Sequence, residues 1–366
     1  MKIAPLPLPM PRDTRFGKGA SKLLLPLCAA FGTKGLVVHS ASVKKNGRLE
    51  ALLSEKPGET DCWQHEGGEP ALVQTEALRR YIQNTAPHWV AAIGGGSVLD
   101  LARAAAGLSQ APLSVQEYHD GAEIPESPLP FIAVPTTAGT GSEATTVSVL
   151  TNRATGVKKS IRHPSFMARL VLLDPELMTG TPASVLAASG MDALTQAIEA
   201  FCSRGATCLT DALAKDAAEK VFNALPGACS GDPSFFDDMM LGSYMAGLAL
   251  ASARLGLVHG LAHPLGARYH AAHGLVCAFC LPPVLAFNRP VIPEKYDTLK
   301  RIFRRDPLEA IAALIQKLPL ASPFTGQVLS DTQAIIEETL ASGSTKANPR
   351  DVSADQVQAL LNHLFQ

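Results

Sequence analysis

The sequence lacks a run of basic residues and carries almost no net charge. Of its 366 residues, 32 are Lys or Arg and 33 are Asp or Glu, which leaves a formal net charge of −1. Proteins that bind nucleic acid gather basic side chains to meet the phosphates, and proteins that bind a membrane surface use polybasic segments. The composition therefore argues against both kinds of partner.

Long uninterrupted apolar runs are also missing. Residues 1–17 contain four prolines and no apolar stretch of signal-peptide length, so we expect no export signal. The apolar segment 273–287 is broken by His, Gly and paired Pro, and we expect it to be too short to span a bilayer. With 46% hydrophobic and 18% charged residues, the composition is typical of a well-packed globular enzyme.

The cysteines do not indicate a disulfide framework, because there are seven of them in a long chain. Cys277 and Cys280 form a CxxC motif, which is found in redox pairs and zinc sites but also arises from two small packing residues. No second CxxC completes a zinc site, so we interpret both as buried packing residues. A reducing cytoplasm is the simplest compartment for this chain.

The first half of the chain alternates short apolar runs with helical patterns. Helices are expected at 19–31 and 71–84. The predicted strands are residues 36–38, 89–93, 131–134 and 170–173. Short continuous apolar runs between helices are typical of a parallel sheet, because both faces of such a sheet are covered.

From about residue 180, Ala- and Leu-rich helical patterns replace the strand-like runs. The predicted helices are residues 182–202, 207–225, 237–254, 295–303, 307–317, 329–341 and 354–365. Segments 225–234 and 342–350 are predicted to be surface loops. The length of the chain suggests two domains, which we place at 1–178, with a parallel sheet, and at 179–366, all helical.

Two glycine-rich turns follow predicted strands. Residues 94–97 (GGGS) lie between an apolar strand and a helical run, where glycine lets a ligand approach and the amides of the helix N-terminus can hold a phosphate. Ser97 and Asp100 also have the spacing of a capping box, which needs no ligand. The second turn, 136–143, offers hydroxyls and amides. Although GxGxxG and GxxxxGK[ST] are absent, the two turns together favour a nucleotide site.

A group of histidines is the strongest chemical signal. Four of the ten histidines fall within fifteen residues: His259, His263, His270 and His273. The i, i+4 spacing of His259 and His263 places them on one helix face, and Asp192 and Gln196 have the same spacing. Imidazole is the commonest metal ligand, so these groups could converge on one divalent ion. Gln196 is the weak member, since a neutral amide is a poor ligand.

Six segments, in this order, carry a resemblance to a known family: RFGKGA at 15–20, GGGSVLDLAR at 94–103, PTTAGTGSEAT at 135–145, GMDALTQAIEAF at 190–201, GLVHGLAHPLGARYHAAHG at 256–274 and KANPRDV at 346–352. The chain resembles the iron-containing (group III) alcohol dehydrogenases, relatives in fold of dehydroquinate synthase and glycerol dehydrogenase. The resemblance implies an α/β N-terminal dinucleotide-binding domain for NAD(P), an all-α C-terminal domain for the metal and substrate, and an active site in the cleft between them.

The resemblance also implies roles for individual residues. The implied cofactor-binding set is Ser40, Gly94, Gly95, Gly96, Ser97, Asp100, Thr136, Thr137, Thr140, Thr145, Val149 and Lys158. The family's metal is held by an Asp, a His four residues later and two further His, and these positions correspond to Asp192, Gln196, His259 and His273. His263 corresponds to a histidine that lines the substrate pocket without binding the metal.

The sequence departs from the family pattern at two positions. Gln196 stands where the family has His, so zinc, weakly held iron and no metal at all are each compatible with the sequence. Ser40 stands where family members often carry an Asp that binds the ribose hydroxyls. A small hydroxyl there, close in sequence to Lys44 and Lys45, favours NADP(H) over NAD(H).

We therefore expect an NAD(P)-dependent oxidoreductase that interconverts a small alcohol and its aldehyde or ketone, with a divalent ion as Lewis acid. His263 is the candidate for proton relay, or else a packing histidine. Two alternatives are a metal-independent carbonyl reductase, similar to maleylacetate reductase, and a dehydroquinate synthase-like lyase, although 256–274 holds only Arg268 as a basic residue. A third is a protein that kept the fold and lost the metal. The resemblance also allows a homodimer.

Overall fold

The computed structural model describes residues 8–54 and 59–366. They divide into two compact units. The α/β unit contains Pro9–Thr137 and Ser142–Thr179, and the helical unit contains Leu8, Ala138–Gly141 and Gly180–Gln366. The start of the chain, on which the expectation about an export signal depends, lies largely outside the described residues.

The α/β unit is built on a six-stranded sheet and a two-stranded sheet. The strands are β1 (Asp13–Phe16), β2 (Lys34–His39), β3 (Glu59–Gln64), β4 (Trp89–Gly94), β5 (Phe131–Pro135), β6 (Val147–Asn152), β7 (Val157–Arg162) and β8 (Leu170–Leu173). The larger sheet has the order β1-β8-β5-β4-β2-β3 with all pairs parallel, and β6 pairs antiparallel with β7. This confirms the predicted parallel sheet.

The helices of this unit are short, apart from two. They are α1 (Leu24–Cys28), α2 (Ala41–Lys45), α3 (Arg48–Leu53), α4 (Leu72–Thr85), α5 (Gly96–Gly107) and α6 (Val115–Asp120). The apolar side chains of β2, β4, β5 and β8 are almost fully buried, because helices cover such a sheet on both faces. From β2 the chain passes to β3 on one side and then returns to β4 on the other. The carboxyl ends of β2 and β4 therefore form the crevice where open α/β sheets bind ligands.

The helical unit contains ten α-helices among its described residues. They are α7 (Ala183–Cys202), α8 (Cys208–Cys229), α9 (Phe236–Ala253), α10 (Leu257–Arg268), α11 (His273–Asn288), α12 (Pro293–Phe303), α13 (Pro307–Lys317), α14 (Thr332–Ala341), α15 (Gly343–Ala347) and α16 (Ala354–Leu364). Helix α7 packs against α8, α9 and α11, and its residues 190–202 are all buried. The predicted all-helical second half is confirmed.

Three expectations about this unit are wrong in detail. The predicted loop 342–350 contains α15, and its Asn348 is buried, while α8 continues through the first half of the predicted loop 225–234, to Cys229. Segment 273–287 is not too short: with a 3-10 turn the helix reaches Val291 and is long and apolar enough to cross a membrane. Half of its most apolar part is buried, and buried core helices of other proteins can have the same length and composition.

Candidate active site

Four side chains of the helical unit bring their ligand atoms together. Asp192 lies on α7, His259 on α10, and His273 and Cys277 on successive turns of α11. Their ligand atoms all lie within 4.8 Å of one another. Nε2 of His259 is 3.3 Å and Nε2 of His273 is 3.8 Å from Oδ1 of Asp192. Cys277 and the first two residues are buried, while the His273 side chain is 25% exposed. This group can hold a divalent ion.

A glycine on α11 allows the close approach that assembles this group. A Cβ on Gly274 would lie 2.1 Å from the carbonyl oxygen of Ala188 on α7 and 3.2 Å from Cβ of Asp192. The first distance is far shorter than any ordinary van der Waals contact, so only glycine fits. His273 and Cys277 thus reach Asp192 because Gly274, which follows His273 on α11, has no side chain.

Gly274→Ala should therefore weaken metal binding. The new methyl group must push α11 away from α7, and we expect the metal dissociation constant to rise by about 10-fold or more, with overpacking costing about 1–3 kcal/mol of stability. Metal titration and chemical denaturation measure the two effects. Gly343→Ala is the matched control, since a Cβ there meets nothing within 4 Å. Equal metal affinity in the two variants would contradict the packing argument.

A carboxylate behind His259 fixes the orientation of its ring. Nδ1 of His259 lies 2.6 Å from Oε2 of Glu199, and Oε1 of Glu199 accepts a hydrogen bond of 2.6 Å from the Val258 amide. Such a partner holds the Nδ1 proton and directs the Nε2 lone pair to a metal. Sequence reasoning missed Glu199, although it lies seven residues after Asp192 and so on the same face of α7.

The charges of these groups are strongly coupled. Burial alone would lower the pKa of His259, but its interactions with Cys277, Asp192 and Glu199 raise it well above its ordinary value. Burial would raise the pKa of Asp192, but the hydrogen bond from His259 and the charge of His273 lower it. Burial also raises the pKa of the Cys277 thiol to about 11. Asp192 is therefore a carboxylate at neutral pH.

Gln196 provides a test of whether the site fits a metal. Its side chain is buried one turn after Asp192, and it hydrogen-bonds the Asp192 carboxylate. Its Oε1 is buried and has no hydrogen-bond partner within the part of the chain that the structure describes. A buried carbonyl without a partner is costly, and a metal ion or its bound water would satisfy it. The donor set and this oxygen both fit a divalent ion.

The other two predicted histidines have different surroundings. His263 is half-buried, and its ring stacks on that of His273 with centroids 5.2 Å apart. It therefore lies beside a metal-ligand candidate and is also partly open to solvent. His270 is exposed, with a left-handed φ of 49°, beyond the end of α10.

The two glycine-rich turns begin side by side in the α/β unit. Gly94 at the end of β4 pairs with Pro135 at the end of β5, and the Thr136 amide donates to the Gly94 carbonyl at 3.0 Å. The predicted Ser97–Asp100 capping box is wrong. Helix α5 begins at Gly96, two residues earlier than an N-cap at Ser97 requires, and its N-cap Gly95 makes no side-chain cap hydrogen bond. A helix N-terminus without a side-chain cap suits a phosphate.

The carboxylate of Asp100, which was predicted to bind the cofactor, is hydrogen-bonded within the protein. It is buried, and its oxygens accept hydrogen bonds from Ser142 Oγ at 2.5 Å, Arg103 at 3.2 Å and the Val149 amide at 2.9 Å. Burial raises its pKa, although Arg103 opposes the shift. Asp100 thus ties α5 to the second turn and to β6.

The remaining predicted cofactor residues are placed around these turns and strands. Ser40 is the N-cap of α2 directly after β2, and its amide donates to the Ile93 carbonyl at 3.1 Å. Thr137 lies 3.3 Å from the position that a Cβ on Gly95 would take. Lys158 on β7 forms an ion pair with Glu69 at 2.5 Å. Thr140 belongs to the segment Ala138–Gly141 of the helical unit.

Models of known protein families match both halves of the chain. Residues 11–175 match the family model described as iron-containing alcohol dehydrogenase, and residues 186–365 match the C-terminal model of the Fe-containing alcohol dehydrogenase family. The chain belongs to the iron-containing alcohol dehydrogenase family. It is an oxidoreductase that interconverts an alcohol and its aldehyde or ketone with a nicotinamide dinucleotide, and the family uses a metal.

Individual relatives cover almost the full chain. The probable alcohol dehydrogenase EutG of Escherichia coli is 37% identical over 96% of this chain and 92% of its own length. Lactaldehyde reductase of Escherichia coli is 31% identical over 94% and 96%. A sulfoacetaldehyde reductase from Bifidobacterium kashiwanohense, solved in complex with NAD+, has a TM-score of 0.93 at 28% identity, with 99% of each chain covered. A 1,3-propanediol oxidoreductase structure has a TM-score of 0.94 at 28% identity, over 99% and 100%.

Proposed function

We propose that this enzyme is a metal-assisted alcohol dehydrogenase or aldehyde reductase that acts on a small alcohol or aldehyde. The observation that carries the proposal is the convergence of ligand atoms from Asp192, His259 and His273, with the unsatisfied carbonyl of Gln196 nearby in the chain. The relatives named for lactaldehyde, sulfoacetaldehyde and 1,3-propanediol support a short substrate.

The protein's own groups have separable roles in this reaction. When bound, the divalent ion supplies a Lewis acid for the alcohol or carbonyl oxygen, and the nicotinamide supplies hydride chemistry. Asp192 contributes negative charge to the ion, and Glu199 holds the His259 ring in place. His263, half-buried and stacked on His273, would carry the alcohol proton to solvent.

The proposed cofactor site uses the strand ends of the α/β unit. The uncapped N-terminus of α5 would hold the pyrophosphate, and Ser40 would lie at the ribose. The absence of a carboxylate at position 40, with Lys44 and Lys45 exposed on α2, supports binding of NADP(H). The seven cysteines form no disulfide in the described residues, which supports our expectation of a cytoplasmic enzyme.

Ser40→Asp should shift the cofactor preference toward NAD(H). A carboxylate there repels a 2′-phosphate and accepts hydrogen bonds from ribose hydroxyls, so we expect the ratio of kcat/KM for NADPH to that for NADH to fall by about 10-fold or more. Steady-state rates with both cofactors measure the ratio. Ser54→Asp, at an exposed position after α3, should leave it unchanged. An unaltered ratio in the Ser40 variant would remove Ser40 from the cofactor site.

A metal-independent carbonyl reductase is the second candidate, because Gln196 replaces a ligand that the family pattern has. A lyase is disfavoured, since the guanidinium of Arg268 is already paired with Glu338 at 2.6 Å and 3.1 Å. Elemental analysis of protein purified without chelator, combined with rates measured at 340 nm, distinguishes the metal-assisted enzyme from the metal-independent reductase. We expect about one divalent ion per chain and loss of activity on chelation. Full activity in metal-free protein would establish the second candidate.

A further inference from the structure

We propose that the Cys277 thiolate is a ligand of the divalent ion and takes the place of the family histidine that is replaced by Gln196. The resulting Asp-His-His-Cys set favours Zn²⁺ over Fe²⁺. The inference rests on the proposed metal-assisted function, and it concerns which of this chain's own residues hold the ion.

The spacing of the four atoms supports this assignment. Zinc binds oxygen and nitrogen at about 2.0–2.1 Å and thiolate sulfur at about 2.3 Å, so tetrahedral ligands lie about 3.3–3.6 Å apart. Sγ of Cys277 is 3.9 Å from Nε2 of His259 and 3.7 Å from Nε2 of His273. Those two nitrogens lie 3.3 Å and 3.8 Å from the same oxygen of Asp192. These four distances are close to those between the ligands of a zinc ion, and all four ligand atoms lie within 4.8 Å of one another.

The position of Cys277 on α11 gives it this geometry. It follows His273 by four residues, so both side chains lie on the same helix face, and Cys277 is fully buried. Cys280 is equally buried on the same helix, but it is not part of the group of converging ligand atoms. The CxxC motif is therefore not a zinc pair, and the interpretation of Cys277 as a packing residue alone is incomplete.

The chemistry of Gln196 explains why a thiolate is needed. The Gln196 side chain hydrogen-bonds the Asp192 carboxylate, and a neutral amide oxygen is a weak ligand. A thiol binds the ion by giving its S–H proton to solvent and donating a sulfur lone pair. Asp192 and Cys277 then balance the two positive charges of the ion. Soft thiolate sulfur favours zinc over the harder ferrous ion, although affinity for either exceeds that of a three-ligand site.

X-ray absorption at the zinc edge tests the assignment on the full-length protein. Every protein used in this experiment carries Cys62→Ser and Cys208→Ser, because both cysteines are exposed and could bind added zinc. The protein loaded with one equivalent of zinc should show one sulfur at about 2.3 Å among nitrogen and oxygen ligands. Cys277→Ala should lose the sulfur, and Cys280→Ala, the matched control, should keep it.

Competition titration adds an independent measure. Loss of a residue that only hydrogen-bonds a metal ligand costs about 10–100-fold in metal affinity. Because Cys277 is proposed as a direct ligand, its removal should cost about 100-fold or more. Introducing Gln196→His into the Cys277→Ala variant recreates the Asp-His-His-His pattern and should restore most of that loss. The same substitution in a chain that keeps Cys277 should gain much less, because the fourth position is already filled.

The outcomes distinguish this inference from the function on which it rests. Zinc bound only by nitrogen and oxygen, with unchanged affinity in Cys277→Ala, overturns the thiolate ligand and leaves the metal site intact. A wild-type protein that binds neither zinc nor iron overturns both. The reference spectrum comes from a protein that keeps all four candidate ligands, so poor folding of a Cys277 variant would not prevent a decision. Cys277→Ser offers a closer match in size.

Discussion

Asp192→Asn should abolish tight metal binding and lower kcat/KM for alcohol oxidation by about 1,000-fold or more, since a metal Lewis acid supplies several kcal/mol of transition-state stabilisation. The amide has nearly the shape of the carboxylate but lacks its negative charge. Asp192 is buried, and its pKa is lowered by the hydrogen bond from His259 and the charge of His273, which outweigh the opposing effect of burial. It is therefore the permanent anion among the ligand candidates.

Elemental analysis and steady-state rates at 340 nm would measure both effects on one preparation. Asp216→Asn makes the same chemical change at an exposed position of α8 and should leave both quantities at wild-type values. Retention of the rate by a metal-free Asp192→Asn protein would rule out metal assistance. It would favour a reaction in which His259, His263 and His273 polarise the carbonyl without an ion.

The four fully buried strands could be predicted from the sequence, whereas the other strands could not. Buried parallel strands are continuous apolar runs, as in β4 (WVAAIG), and such runs are easily found. Strand β1 (DTRF) and strand β3 (ETDCWQ) lie at the two edges of the sheet and are polar and partly exposed. Strand β7 (VKKSIR) is mostly exposed and charged. These strands have no apolar run, and they form because their backbones pair with neighbouring strands. The sequence alone does not show that pairing.

The candidate site was only partly predictable, for a similar reason. The i, i+4 spacings indicated which of Asp192, Gln196, His259 and His263 share a helix face, but not which helix faces meet. His273 and Cys277 also have i, i+4 spacing, but the CxxC motif associates Cys277 with Cys280 instead. Glu199 and Gly274 act through contacts with other helices, which no local pattern specifies. The roles of Glu199 and Gly274 therefore could not be predicted from the sequence alone.

Arg103→Met should destabilise the α/β unit by about 3–5 kcal/mol, because it leaves a buried carboxylate without its counter-charge. The Arg103 side chain is fully buried, and its guanidinium donates to Asp100, to Ser142 at Oγ and the carbonyl, and to the Val147 carbonyl. Chemical denaturation at neutral pH measures the loss. Arg80→Met, at a residue whose side chain is 73% exposed and paired with Glu76, should change stability by less than about 0.5 kcal/mol.

The pH dependence gives the Arg103 prediction a second, independent signature. Burial already raises the pKa of Asp100 while Arg103 opposes the shift, so the variant must have a still higher pKa in its folded state. A group whose pKa is higher in the folded state costs stability as the pH rises above its unfolded value, which is about 3.9 for Asp. The loss of stability of Arg103→Met relative to wild type should therefore be small near pH 4 and grow toward neutrality.

Asp100→Leu added to Arg103→Met removes the unpaired charge and should recover stability at neutral pH. A deficit independent of pH and not reduced by the second substitution would mean that lost packing, rather than the unpaired carboxylate, explains the effect.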